Sequence, residues 1–134
     1  MKVVIDTNCL VLSIPKHREE YWLYEAFNAN TFDWLISNEI LTEYVEILTS
    51  FYSVATAEVV AKKLLAAENV TLKEPFYRWN LIKDPDDNKF ADLAISGNVD
   101  YLVTNDKHFN VLKSLNFPPV QVVDLEEFRK ILKY

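Results

Sequence analysis

Four carboxylates stand where a fold of alternating strands and helices would place functional side chains. Asp6 directly follows a short β-branched run, and Asp106 follows a second apolar run after a single residue. Glu43 lies just outside the apolar stripe of the strongest helical pattern, and Asp87 lies at the start of a later one. Carboxylates gathered at one place repel one another unless protons or cations intervene. Because hard divalent cations take oxygen ligands, such a set predicts a metal site suited to phosphodiester hydrolysis.

Each of these acids also has a purely structural interpretation. Asp6 and Asp106 could cap the helices that follow them, because the N-terminus of a helix favours an anion. Glu43 could be a solvated acid on the polar face of its helix, and the segment around Asp87 could be a solvated turn. Taken singly, no acid decides between the two interpretations. The convergence of all four on one edge of a sheet favours a site.

Three aspartates compete for one place in this site. Asp86 follows Pro85 and is best placed to be the N-cap of the next helix. Asp87 projects within the apolar arc of that helix, whereas Asp92 projects away from it. The sequence therefore favours Asp87 as the inward carboxylate, with Asp86 as an alternative and Asp92 in a supporting position.

Apolar patterning predicts the elements that must position these acids. Runs rich in β-branched and aromatic residues predict strands at 2–6, 32–37, 69–72, 100–104 and 119–123. Helical spacing predicts helices at 9–14, 19–28, 38–52, 56–68, 86–96, 106–115 and 125–132. Strands that alternate with helices predict a parallel sheet covered by helices on both faces. In such folds, ligands bind at the carboxyl ends of the strands.

Composition narrows the possible functions. The length of 134 residues and the 50% hydrophobic content suit one domain spanning residues 1–134. Walker loops and dinucleotide-binding motifs need several glycines, and Gly97 is the only one. The single cysteine, Cys9, allows no intrachain disulfide and argues against a cysteine-based zinc site. His17 and His108 are far apart in polar surroundings, so we expect both to be surface residues rather than ligands.

The charge argues against a protein that coats nucleic acid. The net charge is −6 and the pI is about 4.9, whereas proteins that neutralise many phosphates are usually basic. A nuclease is affected less, because bound cations change the local field at a carboxylate site. No apolar run approaches the roughly 20 residues that cross a bilayer, and Asp6 interrupts the apolar stretch that a signal peptide needs. We therefore expect no membrane association and a cytoplasmic location.

The ordered set of short motifs resembles the PIN-domain family. The likeness is carried by Asp6-Thr7-Asn8 after a strand, Glu43 in a helix after Ser37, Asp87 at a helix start, and Thr104-Asn105-Asp106 after a strand. Segments 84–90 and 100–107 look especially like the VapC-like branch, the toxin components of bacterial and archaeal toxin–antitoxin systems. Order, intervals and length agree over essentially the whole chain. Asn105 departs from this branch, which often has glycine there, but asparagine tolerates a left-handed backbone.

The resemblance implies a three-layer α/β/α, Rossmann-like domain with a central parallel sheet. It implies an endoribonuclease that depends on Mg²⁺ or Mn²⁺, cuts RNA, commonly forms a homodimer and is inhibited by a cognate antitoxin. By matching position, the acidic site would consist of Asp6, Glu43, Asp87 and Asp106. Asn8 and Thr104 would support these acids by hydrogen bonding.

The mechanistic hypothesis divides the work among these residues. Glu43 would orient or deprotonate the attacking water. The acids assigned to the cation are Asp6, Asp87 and Asp106. Three lysines flank the site and could hold the RNA backbone, although they could equally be ordinary solubilising residues: Lys83, Lys89 and Lys107.

Two other functions stay open at this stage. Phosphoryl transfer through an aspartate, as in phosphatases and receiver domains, would also place Asp6 at the end of a strand. The haloacid-dehalogenase-like motif needs a second aspartate two residues later, where this chain has Asn8. A receiver domain needs an acidic pair at the end of the first strand and a separate phosphoacceptor in mid-chain. The second alternative is a non-catalytic PIN-like binding module, in which the acids only dock a partner.

Overall fold

A computed structural model describes all 134 residues. The strands are β1 (Lys2–Ile5), β2 (Asp33–Ile36), β3 (Val70–Leu72), β4 (Tyr101–Val103) and β5 (Val122–Val123). The α-helices are α1 (Thr7–Ser13), α2 (Trp22–Asn28), α3 (Asn38–Phe51), α4 (Val54–Ala66), α5 (Asn88–Ser96) and α6 (Leu125–Leu132). Short 3₁₀ segments span Glu19–Tyr21, Pro85–Asp87 and Lys107–Ser114.

All five strands are parallel and form one sheet in the order β3-β2-β1-β4-β5. Helices flank this sheet on both faces, which confirms the predicted three-layer α/β/α fold. The central strands are buried on both sides, and Val3, Val4 and Ile5 of β1 are fully inaccessible. This is why they form an uninterrupted apolar run rather than an alternating one. The strand order reverses at β1, and the reversal opens a crevice at the carboxyl ends of β1 and β4.

Serine caps fix where two long helices begin. The Ile40 amide donates to Ser37 Oγ at 3.2 Å at the start of α3. The Thr56 amide donates to Ser53 Oγ at 3.0 Å, so α4 begins at Val54 rather than at the predicted residue 56. None of the helices has both the length and the apolar character of a membrane span.

The segment 106–115, predicted to be helical, forms a 3₁₀ helix over Lys107–Ser114 rather than an α-helix. It buries Phe109 and Leu112, which lie three residues apart. A helix with three residues per turn places such a pair directly above one another, whereas an α-helix offsets the two side chains by about 60° on the same face.

The start of α5 also differs from the prediction. Asp84, and not Asp86, is the capping residue, because its carboxylate accepts the Asp86 amide at 3.0 Å. Pro85 then occupies the first position of a 3₁₀ turn, where its missing N–H costs nothing. As a result, Asp87 lies at the junction between this turn and α5.

The single glycine is required by packing rather than by its backbone conformation. Gly97 ends α5 with a φ of −83°, a value open to any residue. A Cβ at this position would lie 2.3 Å from Leu35 Cδ2 of β2. The left-handed residue after the helix is Asn98, with a φ of 47°. Gly97 therefore allows close contact between α5 and the sheet.

Candidate metal centre

The sheet brings two of the predicted acids together at the crevice. Asp6 is the first residue after β1, and Asp106 follows β4 through Thr104 and Asn105. The Thr104 hydroxyl donates to Asp6 Oδ2 at 2.8 Å and accepts the Asp106 amide at 3.0 Å. This buried hydroxyl thus links the ends of the two neighbouring strands and orients the Asp6 carboxylate.

Asp6 lies in the protein interior, where an unpaired negative charge is energetically unfavourable. Its side chain is buried, and the residue is only 6% exposed. Its pKa is raised from 3.8 to about 6. Burial is the largest cause, and the charges of Asp87 and Asp106 act in the same direction, while bonds from Thr104 and the Thr7 backbone limit the rise. A proton or a cation at this carboxylate would relieve the cost.

Asp87 turns inward and Asp86 does not. Asp87 Oδ2 is buried and has no hydrogen-bond partner, whereas the Asp86 side chain is exposed. Burial is the main cause that raises the pKa of Asp87, and the charge of Asp106 is the next. An orphaned carboxylate oxygen beside a second carboxylate is a donor set that fits a hard divalent cation.

His108 completes this group, although the sequence did not predict it as a ligand. It lies at the surface as expected, but its Nδ1 is 3.3 Å from Asp106 Oδ1 and 3.9 Å from Asp87 Oδ2. Donor atoms of these three residues lie within 4.8 Å of one another. The spacing Asp106-Lys107-His108 was visible in the sequence, but a single histidine two residues after an acid has no specific meaning without the tertiary contact.

A hydrogen bond between α3 and the end of β1 positions Glu43 at the site. Its neighbour Tyr44 is fully buried, and the Tyr44 hydroxyl donates to the carbonyl of Ile5, the residue before Asp6. This contact fixes α3 against the end of β1. Glu43 then accepts a hydrogen bond from the Thr7 hydroxyl, a contact that the sequence did not predict.

Lys89 is an internal partner of Glu43 rather than a free cation. Its Nζ lies 2.7 Å from Glu43 Oε1 and donates to the Asp86 carbonyl at 2.7 Å. The Lys89 side chain is only 8% exposed. In this arrangement its ammonium group is engaged within the protein, so the predicted contact with an RNA backbone is left to Lys83 and Lys107, which are exposed. Lys83 shares a cleft of about 600 Å³ with His108.

Two predicted supporting residues make no hydrogen bond with the clustered acids. Asn8 is exposed, and its side chain makes no hydrogen bond. Asp92 is 5% exposed, contrary to the expectation that it projects away from the apolar face, and its Oδ1 accepts the Trp79 amide at 3.0 Å. Burial raises the pKa of Asp92, and its charged neighbours are Arg78 and Glu39, not the clustered acids. The irregular segment that carries Trp79 covers this face of α5, which helical periodicity cannot reveal.

Comparison with known proteins identifies the family of this chain. A family model described as a PIN domain matches residues 2–108, which include all four candidate acids. The chain belongs to the PIN-domain family. PIN domains are generally nucleases that use divalent cations. The clustered side chains of this PIN domain offer the donor atoms that such a cation binds.

The fold of this PIN domain is also similar to a solved structure. That structure is VapBC2 from Rickettsia felis bound to a DNA fragment from their promoter. The likeness has a TM-score of 0.64 and 21% sequence identity, and it covers 92% of this chain and 98% of the other. A search among curated proteins gave no match.

Proposed function

We propose that this PIN domain is an endoribonuclease dependent on Mg²⁺ or Mn²⁺ and the toxin component of a toxin–antitoxin pair. The observation that carries the nuclease proposal is the orphaned Asp87 oxygen beside Asp106, at the crevice where Asp6 is also buried. The toxin role is supported by the likeness to VapBC2 and by the resemblance of segments 84–90 and 100–107 to the toxin branch.

Three carboxylates would hold the cation, and a fourth would act on the water. Asp6, Asp87 and Asp106 are assigned to the ion, because their side chains converge and repel one another without it. A bound cation would supply positive charge and Lewis acidity toward the phosphodiester. Glu43 already accepts bonds from Thr7 and Lys89. These two bonds fix the position of the carboxylate, and we assign Glu43 to orienting the attacking water and accepting its proton at a carboxylate oxygen.

Recognition of the substrate follows from the charge distribution. Because the protein is acidic overall, the scissile phosphate would be held mainly at the metal centre. The exposed Lys83 lines a cleft with His108, and the exposed Lys107 lines another with Asp106, so both would contact neighbouring phosphates. An antitoxin partner, a homodimer and a cytoplasmic location belong to this proposal as well. The family assignment favours it over phosphoryl transfer through Asp6.

An RNA digest tests the proposed activity directly. The purified chain is incubated with a mixed-sequence RNA in Mg²⁺, in Mn²⁺ and in excess chelator, and only the metal-containing reactions should show cleavage. Asp6→Asn and Asp106→Asn should each lose more than about 100-fold of the rate, because each removes a charged ligand. Asp33→Asn is the matched control, since Asp33 begins β2 at the opposite end of the sheet.

The same digest separates the neighbouring aspartates. Asp87→Asn should abolish cleavage, whereas Asp86→Asn should retain most of it because that side chain points to solvent. Cleavage retained in both Asp6→Asn and Asp106→Asn would reject the assignment of the site. Cleavage that persists in chelator would reject the metal dependence.

A further inference from the structure

The acidic centre of this PIN domain has a nitrogen donor beside it. Two residues after Asp106, His108 brings its ring nitrogen Nδ1 within 4 Å of carboxylate oxygens of both Asp106 and Asp87. The ring has no other hydrogen-bond or ionic partner in the protein, and 72% of the side chain is exposed. Its lone pair is therefore available to a ligand that these carboxylates also bind.

The distances fit a single ion. Adjacent ligands of an octahedral ion with bonds of about 2.1 Å lie about 3.0 Å apart, and opposite ligands about 4.2 Å apart. The Nδ1 of His108 is 3.3 Å from Asp106 Oδ1 and 3.9 Å from Asp87 Oδ2. All three donor atoms lie within 4.8 Å of one another, so shifts of less than about 1 Å would bring these pairs to the spacing that one ion requires.

The backbone holds the histidine in place for this role. The His108 amide donates to Asp106 Oδ1 at 2.9 Å, at the start of the 3₁₀ segment. Phe109, the next residue, is fully buried and anchors the segment in the core. The backbone at His108 is therefore held in place, while its ring stays open to solvent.

We propose that His108 Nδ1 is a direct ligand of the divalent cation, together with Asp87 and Asp106. This inference rests on the proposed function, since it concerns the same metal centre. An imidazole ligand suits transition metals, whereas Mg²⁺ prefers oxygen donors alone. His108 therefore raises the affinity of this centre for Mn²⁺ relative to Mg²⁺.

Pulsed electron paramagnetic resonance on the Mn²⁺-loaded full chain tests the ligand itself. An imidazole bound to Mn²⁺ produces ¹⁴N modulation of the electron spin echo, and we expect it in the wild type. The modulation should disappear in His108→Gln and persist in His17→Gln. His17 is the matched control, because it is the only other histidine and is exposed. Selective ¹⁵N-histidine labelling of the wild type should convert the ¹⁴N pattern into a ¹⁵N pattern without any substitution.

Calorimetric titration with each metal alone tests the selectivity. His108→Gln should weaken Mn²⁺ binding about tenfold or more and Mg²⁺ binding by less than about threefold. Absence of histidine nitrogen modulation in wild-type protein that binds Mn²⁺ would overturn the proposal and leave the proposed nuclease function intact. An equal loss for both metals would overturn the selectivity. Failure of the wild type to bind either metal would overturn both this inference and the metal dependence.

Discussion

Removing the charge of Asp6 should stabilise the metal-free protein at neutral pH. Asp6 is buried, and its pKa is raised to about 6 from 3.8, mainly by burial. The unfolded chain ionises this group at the lower value, so folding at neutral pH forces a charge into a place that resists it. An asparagine in its place would have the same shape without the charge, and the amide oxygen can accept the Thr104 hydroxyl as Asp6 Oδ2 does.

The size of the effect follows from the two pKa values. The gap between 3.8 and about 6 corresponds to a free-energy penalty of about 3 kcal/mol in the folded state at pH 7.5. The NH₂ group of the asparagine cannot accept the Thr7 backbone N–H, and this donor left without its partner offsets about 1 kcal/mol of the gain. Asp6→Asn should therefore gain about 2 kcal/mol in the free energy of unfolding.

The pH dependence gives the prediction its sign. Below pH 3.8 Asp6 is protonated in both states, so its ionisation contributes no penalty. The penalty grows as the pH rises from 3.8 to about 6 and stays constant above that. At pH 5 the penalty is about half as large, so the net gain from Asp6→Asn falls to less than about 1 kcal/mol.

Urea unfolding followed by tryptophan fluorescence measures this gain. The protein is held in chelator at low micromolar concentration, because pH 5 is close to its pI of about 4.9. With a urea m-value of about 2 kcal/mol/M, the midpoint should rise by about 1 M at pH 7.5 and by less than about half of that at pH 5. The exposed Asp33→Asn control should leave the midpoint nearly unchanged at both pH values. A midpoint for Asp6→Asn that is unchanged or lower at pH 7.5, or a gain that does not shrink on acidification, would refute the reasoning.

Three further substitutions test how the site is positioned. Tyr44→Phe should cost about 1–3 kcal/mol of stability, because the hydroxyl satisfies a buried carbonyl at the end of β1, and it should lower the cleavage rate as Glu43 loses its anchor; unchanged stability would contradict this. Gly97→Ala should lower the free energy of unfolding by about 1–3 kcal/mol, because its Cβ would lie 2.3 Å from Leu35 Cδ2. The melting temperature should fall, whereas helix propensity alone predicts a rise. Lys89→Met should abolish most cleavage and destabilise the fold, and adding Glu43→Gln should restore stability but not cleavage. Independent, additive effects of those two changes would show that the ion pair is unimportant.

Local patterns in the sequence predicted most of the fold, because the apolar pattern within each strand or helix reflects which of its faces is buried. The β-branched run before Asp6 and the apolar run before Asn105 predicted two of the central strands, and acids directly after such strands must share one sheet edge. Angular position on α5 also favoured Asp87 over Asp86, and the structure places Asp87 beside Asp106. These inferences needed only the period of a helix or a strand.

The burial and the partners of several residues were not predicted, because distant segments of the chain supply them. Asp92 has the angular position of a surface residue, but a remote irregular segment buries it. Lys89 has the type of a solvated cation, but α3 supplies Glu43 within 2.7 Å and removes it from solvent. His108 has no local signal at all, and only the 3₁₀ winding after β4 turns its ring toward the carboxylates.

The sequence by itself determined the alternation of strands and helices, the parallel sheet that this alternation requires, and the edge at which the acids collect. Those properties depend on apolar periodicity, which is written within each short segment. Only the tertiary structure decided how the charges are paired. Thr104 links Asp6 to Asp106, and Lys89 neutralises Glu43, while one oxygen of Asp87 is left without a partner. Electrostatic pairing depends on distances of a few ångströms between residues far apart in the chain, and no local pattern encodes those distances.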